Sequence, residues 1–224
     1  MASEYLGDLR DKHQVSSAAP KFVIFEGVDG VGKTTLVYAL AQYYQRLFPQ
    51  IPISLGSFPG AGLGTLGEWV YRLHHGGIDG LEPESIEPPA LQLLHVAAHV
   101  DAILSWITPA LGAGSVILDR YWWSTYAHAR VDLSADVAWA LVVPEQPFWQ
   151  TLPRPMIFYV TRTITLKTGE LDPHRHDLLD RYYREVIARE RDFGVNVYEL
   201  ANEGVLDECW RRLLGCLGLP YAPM

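Results

Sequence analysis

Lys33, Thr34 and Thr35 close the run FVIFEGVDGVGKTT, behind Gly27, Gly30 and Gly32. Gly27 to Thr34 match G-x-x-x-x-G-K-[ST] at every fixed position, a spacing that carries a mechanism. Glycines let successive backbone N–H groups turn inward around a phosphate, with no Cβ atoms in the way. A helix starting there adds the positive end of its dipole. Lys33 would supply a mobile charge to the β- and γ-phosphates of a nucleotide, and Thr34 a hydroxyl to Mg²⁺. The chain holds four lysines, Lys12, Lys21, Lys33 and Lys167, and one falls on the required position. Gly27, Asp29, Gly30, Val31, Gly32, Lys33, Thr34 and Thr35 are therefore the expected nucleotide-binding residues. The pattern implies a nucleoside-triphosphate site.

The elements that must position these residues are legible in the same way. KFVIFEG, IPISLGSF, SVILDRY, PMIFYVTR and GVNVYELA read as strands, most of them nearly all apolar. Between them lie helical patterns: GKTTLVYALAQYYQRLF, LGTLGEWVYRLHH, a long helix over about 89–111, two pieces within 122–149, DLLDRYYREVIARERDF and VLDECWRRLLGCL. GGIDGLEPESIEPP reads as a loop, and residues 163–177 as polar and irregular chain. Apolar strands alternating with helices indicate an α/β fold whose parallel sheet is covered on both faces. Ligands of such sheets bind at the C-terminal strand ends. The glycine run, DRY and the residues after Phe58 all fall there, so one cleft is expected.

Composition narrows the function classes. The 224 residues carry a net charge of −8, which argues against nucleic-acid binding through a broad basic surface. Cys209 and Cys216 are the two cysteines; spaced for one helix face, they are expected to be packed thiols in a reducing, cytoplasmic setting. Residues 1–20 mix acidic and basic groups without an apolar block and are expected to form a loose arm, neither leader nor span. No later segment approaches about twenty uninterrupted apolar residues, so no membrane partner is expected. A GTPase would carry an N/T-K-x-D run, which does not occur, and a motor or transporter ATPase is usually larger. A small kinase remains.

FEGVDGVGKTT, followed by FPG and then LDRYWWSTYAHA, resembles the thymidylate kinase family of nucleoside-monophosphate kinases over roughly residues 20–215. PALGAGSVILDRY and LPRPMIFYV agree in order and spacing. The resemblance implies a three-layer P-loop NTPase fold with a five-stranded parallel sheet, one kinase domain over 21–219 and a lid at about 163–177. It implies ATP–Mg²⁺ as donor, a deoxypyrimidine monophosphate as acceptor, and a homodimer through sheet-covering helices to which Trp106 or its neighbours contribute.

The resemblance also suggests roles. Asp29 matches a carboxylate near the acceptor sugar and phosphate, with a turn-forming aspartate as the alternative. Asp119 matches the carboxylate that reaches Mg²⁺, usually through water. Arg120 matches the arginine that grips the acceptor phosphate; for both Asp119 and Arg120 a structural ion pair is the alternative. Phe58 matches an aromatic that stacks on the acceptor base, or else belongs to the core. Thr125 and His128 stand where relatives contact base and sugar, or else on the helix surface. The loop between Gly27 and Gly32 has no basic residue, so the lid would supply the catalytic charge, with Arg175 preferred over Lys167; two solvated cations are the alternative. His174 and His176 lack matching ligands and read as lid surface.

Two arginines that relatives often place near the acceptor phosphate are replaced, one by Ser57 and one by His99. His99 could substitute weakly through partial protonation, or serve as a plain helix histidine. The family's FPR or EPGG is altered to FPGAG. The expected activity is that of a transferase of nucleotide biosynthesis converting dTMP to dTDP. The alternatives are a changed acceptor (a modified nucleotide or a nucleoside) and an ATP-binding regulator without transfer.

Overall fold

The computed structural model describes residues 20–58, 65–74, 85–163 and 172–224. Its sheet has five strands: β1 (Phe22–Glu26), β2 (Ile53–Ser57), β3 (Ser115–Asp119), β4 (Met156–Thr161) and β5 (Val197–Ala201). Their order is β2-β3-β1-β4-β5 and every pairing is parallel. All five residues of β1 and of β3 are buried. Successive strand side chains point to opposite faces, so unbroken burial means that both faces are covered. The edge strands β2 and β5 are more exposed. This is the expected α/β architecture with its five-stranded parallel sheet.

Aromatic packing ties one half of the sheet together. Phe25 stacks on Phe158 at 5.5 Å, and Phe158 on Tyr198 at 5.4 Å, crossing β1, β4 and β5. Helix α1 (Lys33–Leu47) buries Leu36, Val37, Leu40, Ala41, Tyr43 and Tyr44, a helical stripe against the sheet. Tyr43 meets Trp210 edge-on at 5.6 Å, which seats the closing helix (Leu206–Cys216) beside α1. Cys209 on that helix is buried, Cys216 half-buried, and both thiols are free.

The other helices are α2 (Thr65–His74), α3 (Pro88–Ala102), α4 (Thr108–Ala113), α5 (Trp122–Asp132), α6 (Ala135–Val142), α7 (Gln146–Trp149), α8 (Pro173–Asp192) and α9, the closing helix just named. A π-helical turn, Ile103–Ile107, joins α3 to α4, and Thr108 Oγ1 donates to Ile103 O within it (2.7 Å). The resulting rod, Pro88–Ala113, is 26 residues long and apolar enough to cross a membrane by length and composition. The expectation of no such segment counted uninterrupted apolar runs, and Gln92, His95, His99 and Asp101 interrupt this one. Here α3 packs against α2, α5 and α6.

The start of α8 differs from expectation, as does the stretch 122–149, which holds three α-helices and not two. The chain is helical from Pro173, not from Asp177, because Asp172 caps the helix by accepting from His174 N (3.1 Å) and proline suits the first turn. Of the expected lid, residues 164–171 lie outside the described residues, as do residues 1–19 of the expected arm and most of the loop at 76–89.

Gly114 starts the approach to β3. A Cβ there would lie 2.1 Å from the backbone oxygen of Pro52, the atom that accepts from Ser115 N. That oxygen lies just before β2 and is held by Ser115 N, so it cannot easily step aside. Gly114→Ala is expected to lower stability by about 1–3 kcal/mol, the usual cost of overpacking. Urea unfolding checks this, and an unchanged midpoint would refute it.

Candidate active site

The site begins where β1 ends. Gly27 has φ 141°, and a Cβ on it would lie 2.3 Å from Val160 O, so the loop can leave the sheet here only as glycine. Gly32, left-handed at φ 97°, precedes the first residue of α1 and turns the loop into the helix. Lys33 folds back over this loop, donating from Nζ to Gly27 O (2.8 Å) and Val28 O (2.9 Å). Burial, followed by repulsion from Arg120, pulls its pKa down to about 8 against the attraction of Asp119, Asp29 and Glu26.

Parallel pairing brings β3 alongside, with Phe25 opposite Asp119. Thr34 Oγ1 donates to Asp119 Oδ2 at 2.5 Å, so the hydroxyl and carboxylate expected near a metal are adjacent. Both are hard oxygen donors of the kind Mg²⁺ takes, and two protein oxygens suit a metal that keeps waters and phosphate oxygens as ligands. Among the described residues no group of three or more His, Cys, Asp or Glu is placed to hold a metal. Thr35 is exposed beside Thr34.

Arg120 has φ 80°, the one positive value at a non-glycine among the described residues. Its N–H donates to Phe25 O (2.8 Å), which holds the chain in that turn. The guanidinium pairs with Asp29 through Nη2 and donates from Nη1 to Ser124 Oγ (3.1 Å). A left-handed arginine is strained, and such strain gathers at functional sites. Val31 is buried and Gly30 half-buried in the same loop. Asn202, after β5, donates from Nδ2 to Val31 O (2.7 Å) and anchors the loop from its other side.

Helix α5 contributes Thr125, which is buried, and His128, which is half-buried. Burial first, then the positive charges of Arg120 and Arg175, lower the His128 pKa to about 4 despite Asp29. His128 is therefore neutral at neutral pH. Arg175 is exposed in the first turn of α8, and its charge is one of those that lower the His128 pKa. His174 is exposed on that turn, and His176 Nδ1 lies 3.6 Å from Asp177. Lys167 lies outside the described residues.

Phe58, at the C-terminal end of β2, is buried and donates its N–H to Asp119 O (3.0 Å). Its ring stands edge-on to His99 (4.6 Å) and to Trp149 (5.8 Å). His99 is also buried, and its Nδ1 lies 2.8 Å from Glu145 Oε2. Trp149 Nε1 donates to that same oxygen (2.7 Å). Ser57 is exposed at the strand end. A cavity of about 310 Å³ flanks the loop on the β4 side, lined by Val28, Val31, Arg162, His176 and Glu203 among others.

Sequence reasoning missed several of these groups. Glu145 lies in a short turn with no motif around it, and nothing in the spacing singles Trp149 out from the other tryptophans. Glu26 had a signal, a carboxylate ending an otherwise apolar strand, but its partners come from α5.

The thymidylate kinase family model matches residues 25–167. The chain belongs to the thymidylate kinase family. The matched stretch holds the phosphate loop, Phe58, His99, Asp119, Arg120, Thr125 and His128, and ends before Arg175. Thymidylate kinases from Anaplasma marginale (strain Florida) and Bifidobacterium longum (strain DJO10A) are 30% identical over 118 residues and 39% over 109. The alignments cover 52% and 48% of this chain, and 53% and 50% of those proteins. The chain thus spans about half the length of the curated relatives it matches. A thymidylate kinase structure from Ehrlichia chaffeensis superposes with a TM-score of 0.68 at 18% identity, covering 88% of this chain and 98% of that one. That likeness establishes the thymidylate kinase fold.

Proposed function

We propose that the chain is an ATP-dependent kinase that transfers the γ-phosphoryl group to dTMP, giving dTDP by in-line displacement. One observation carries this: the phosphate loop meets the end of β3 twice, through Thr34 with Asp119 and through Asp29 with Arg120. The first contact gives a donor side and the second an acceptor side, a few residues apart. Lys33 and the loop amides would hold the β- and γ-phosphates, and the flanking cavity would take the adenosine. Thr34 and Asp119 would hold Mg²⁺, which when bound neutralises phosphate charge. Arg120 would grip the acceptor phosphate in a planar fork, with Phe58, Thr125 and His128 around sugar and base. His99, tied to Glu145, would act as a wall of that pocket. No covalent protein intermediate is required, because positioning and charge neutralisation supply the catalysis.

A panel of nucleosides and monophosphates, each with equal ATP, tests the assignment. Turnover of dTMP above the others is expected; turnover of thymidine or a modified nucleotide without dTMP would replace the acceptor, and no turnover at all would leave a regulator.

Arg175 is the proposed lid charge, supported by its influence on His128. Arg175→Ala should lower kcat about 10–100-fold while ATP affinity changes little, as for a contact made mainly in the transition state. Stopped-flow turnover with nucleotide titration checks it. Loss confined to Lys167→Ala would move the role to the lysine.

The chain is also proposed to form a homodimer. Trp69 is 58% exposed, Leu93 47% and Leu104 60%, apolar groups on α2, α3 and the π turn that a second copy would cover. The free thiols support a cytoplasmic location, and the acidic balance supports small-molecule partners over nucleic acid or membrane.

A further inference from the structure

Glu26 is fully buried beneath the phosphate loop. Its Oε1 accepts from Tyr121 N (2.7 Å) and Ser124 N (3.1 Å), and its Oε2 from Gly27 N (3.1 Å). Ser124 Oγ lies 2.9 Å from Oε2 and 3.1 Å from Oε1. The same Oγ is 3.1 Å from Arg120 Nη1 and 2.8 Å from Tyr183 Oη.

A serine hydroxyl has one proton and two lone pairs, and a guanidinium can only donate. With its proton directed to Glu26, Ser124 keeps one lone pair for Arg120 and one for the Tyr183 hydroxyl. With the proton turned to Tyr183, Oγ would present lone pairs to a buried carboxylate, an arrangement with a heavy penalty. Glu26 therefore sets the direction of the whole chain of hydrogen bonds. Through Tyr121 N it also holds the residue that follows the left-handed Arg120, and through Gly27 N the first residue of the loop. Burial raises its pKa above the ordinary carboxylate value, and Arg120, Lys33 and the hydrogen bonds from Ser124 and Tyr121 act against that by favouring the ionised form.

We propose that Glu26 is a positioning residue, which aims the Arg120 guanidinium at the acceptor by fixing the Ser124 proton and the backbone on either side of the cleft. This rests on the acceptor role of Arg120 proposed above.

The test compares wild type, Glu26→Gln, Ser124→Ala and the double variant. KM for dTMP, KM for ATP and kcat are measured per folded molecule, with folding followed by circular dichroism. An amide in place of the carboxylate keeps the volume but turns an N–H₂ toward donors. Glu26→Gln is expected to raise KM for dTMP at least tenfold and to change KM for ATP less than threefold. Ser124→Ala should raise KM for dTMP at least threefold, and the double variant should be no worse than Glu26→Gln alone. Should Glu26→Gln fail to fold, Ser124→Ala decides. Unchanged acceptor KM in folded Ser124→Ala, or additive losses in the double variant, would overturn the proposal. Wild-type turnover of dTMP in the same series tests the acceptor assignment separately; if another acceptor is found, the same comparison is made with it.

Discussion

Lys33→Ala is expected to lower turnover by about 10²–10³-fold or more, the scale seen when one preorganised charge is removed from a transition state. The ammonium is buried and held by two carbonyls of the loop that would hold the phosphates, Gly27 O and Val28 O. Its loss leaves those carbonyls without that donor but also removes a charge that burial disfavours, so the fold should persist. Circular dichroism and single-turnover phosphoryl transfer check both halves. Near-wild-type transfer by folded Lys33→Ala would sink the site.

The same lysine predicts a pH dependence. Its folded pKa is lowered to about 8 from 10.5, so the charged form is present below about pH 8 and is lost as pH rises through it. kcat/KM for ATP reports the free enzyme and should fall above about pH 8. For stability the sign is opposite. Between the folded and unfolded values the unfolded chain binds more protons, so this group's contribution to stability rises with pH across that window. A flat kcat/KM profile to pH 9.5 would contradict the lysine's role.

Arg120→Ala is expected to raise KM for dTMP by roughly 10–150-fold, which corresponds to losing one charge-assisted hydrogen bond of about 1.5–3 kcal/mol. The effect should be strong because the Asp29 carboxylate, without the Arg120 guanidinium beside it, would oppose an incoming phosphate more strongly. Thymidine should remain a poor substrate for the wild type. Arg120→Gly separates the backbone from the charge: it relieves the positive φ, so it should be more stable than Arg120→Ala while losing activity equally. Steady-state kinetics with dTMP and thymidine, and thermal melts of both variants, make the comparison. Robust turnover of thymidine with none of dTMP would show that Arg120 serves another acceptor.

Local chemistry determined much of this protein in advance. A strand covered on both faces is apolar along most of its length, with Glu26, Ser115 and Asp119 at the ends of β1 and β3, so such strands stand out in the sequence. A phosphate loop needs glycines and a lysine within eight positions, so it too is written in a single short run. Helix α1 and the cap of α8 follow from neighbours in sequence, although the polar stretch around Asp172–Pro173 hides the cap among irregular chain.

What spacing along the chain could not decide is what lies across the cleft. Arg120 and Asp29 are 91 residues apart, Glu26 and Ser124 are 98 apart, and His99 and Glu145 are 46 apart. The first two pairings exist because β1 lies beside β3, and the third because α3 packs against α6 and the turn that follows it. Only tertiary structure shows that Arg120 is bent left-handed toward Asp29 while Asp119 bonds Thr34, and that His99 is committed to Glu145. Sequence fixes which groups a position can offer; the buried partner, which alone settles a proton's direction or a charge's orientation, arrives from another element of the fold.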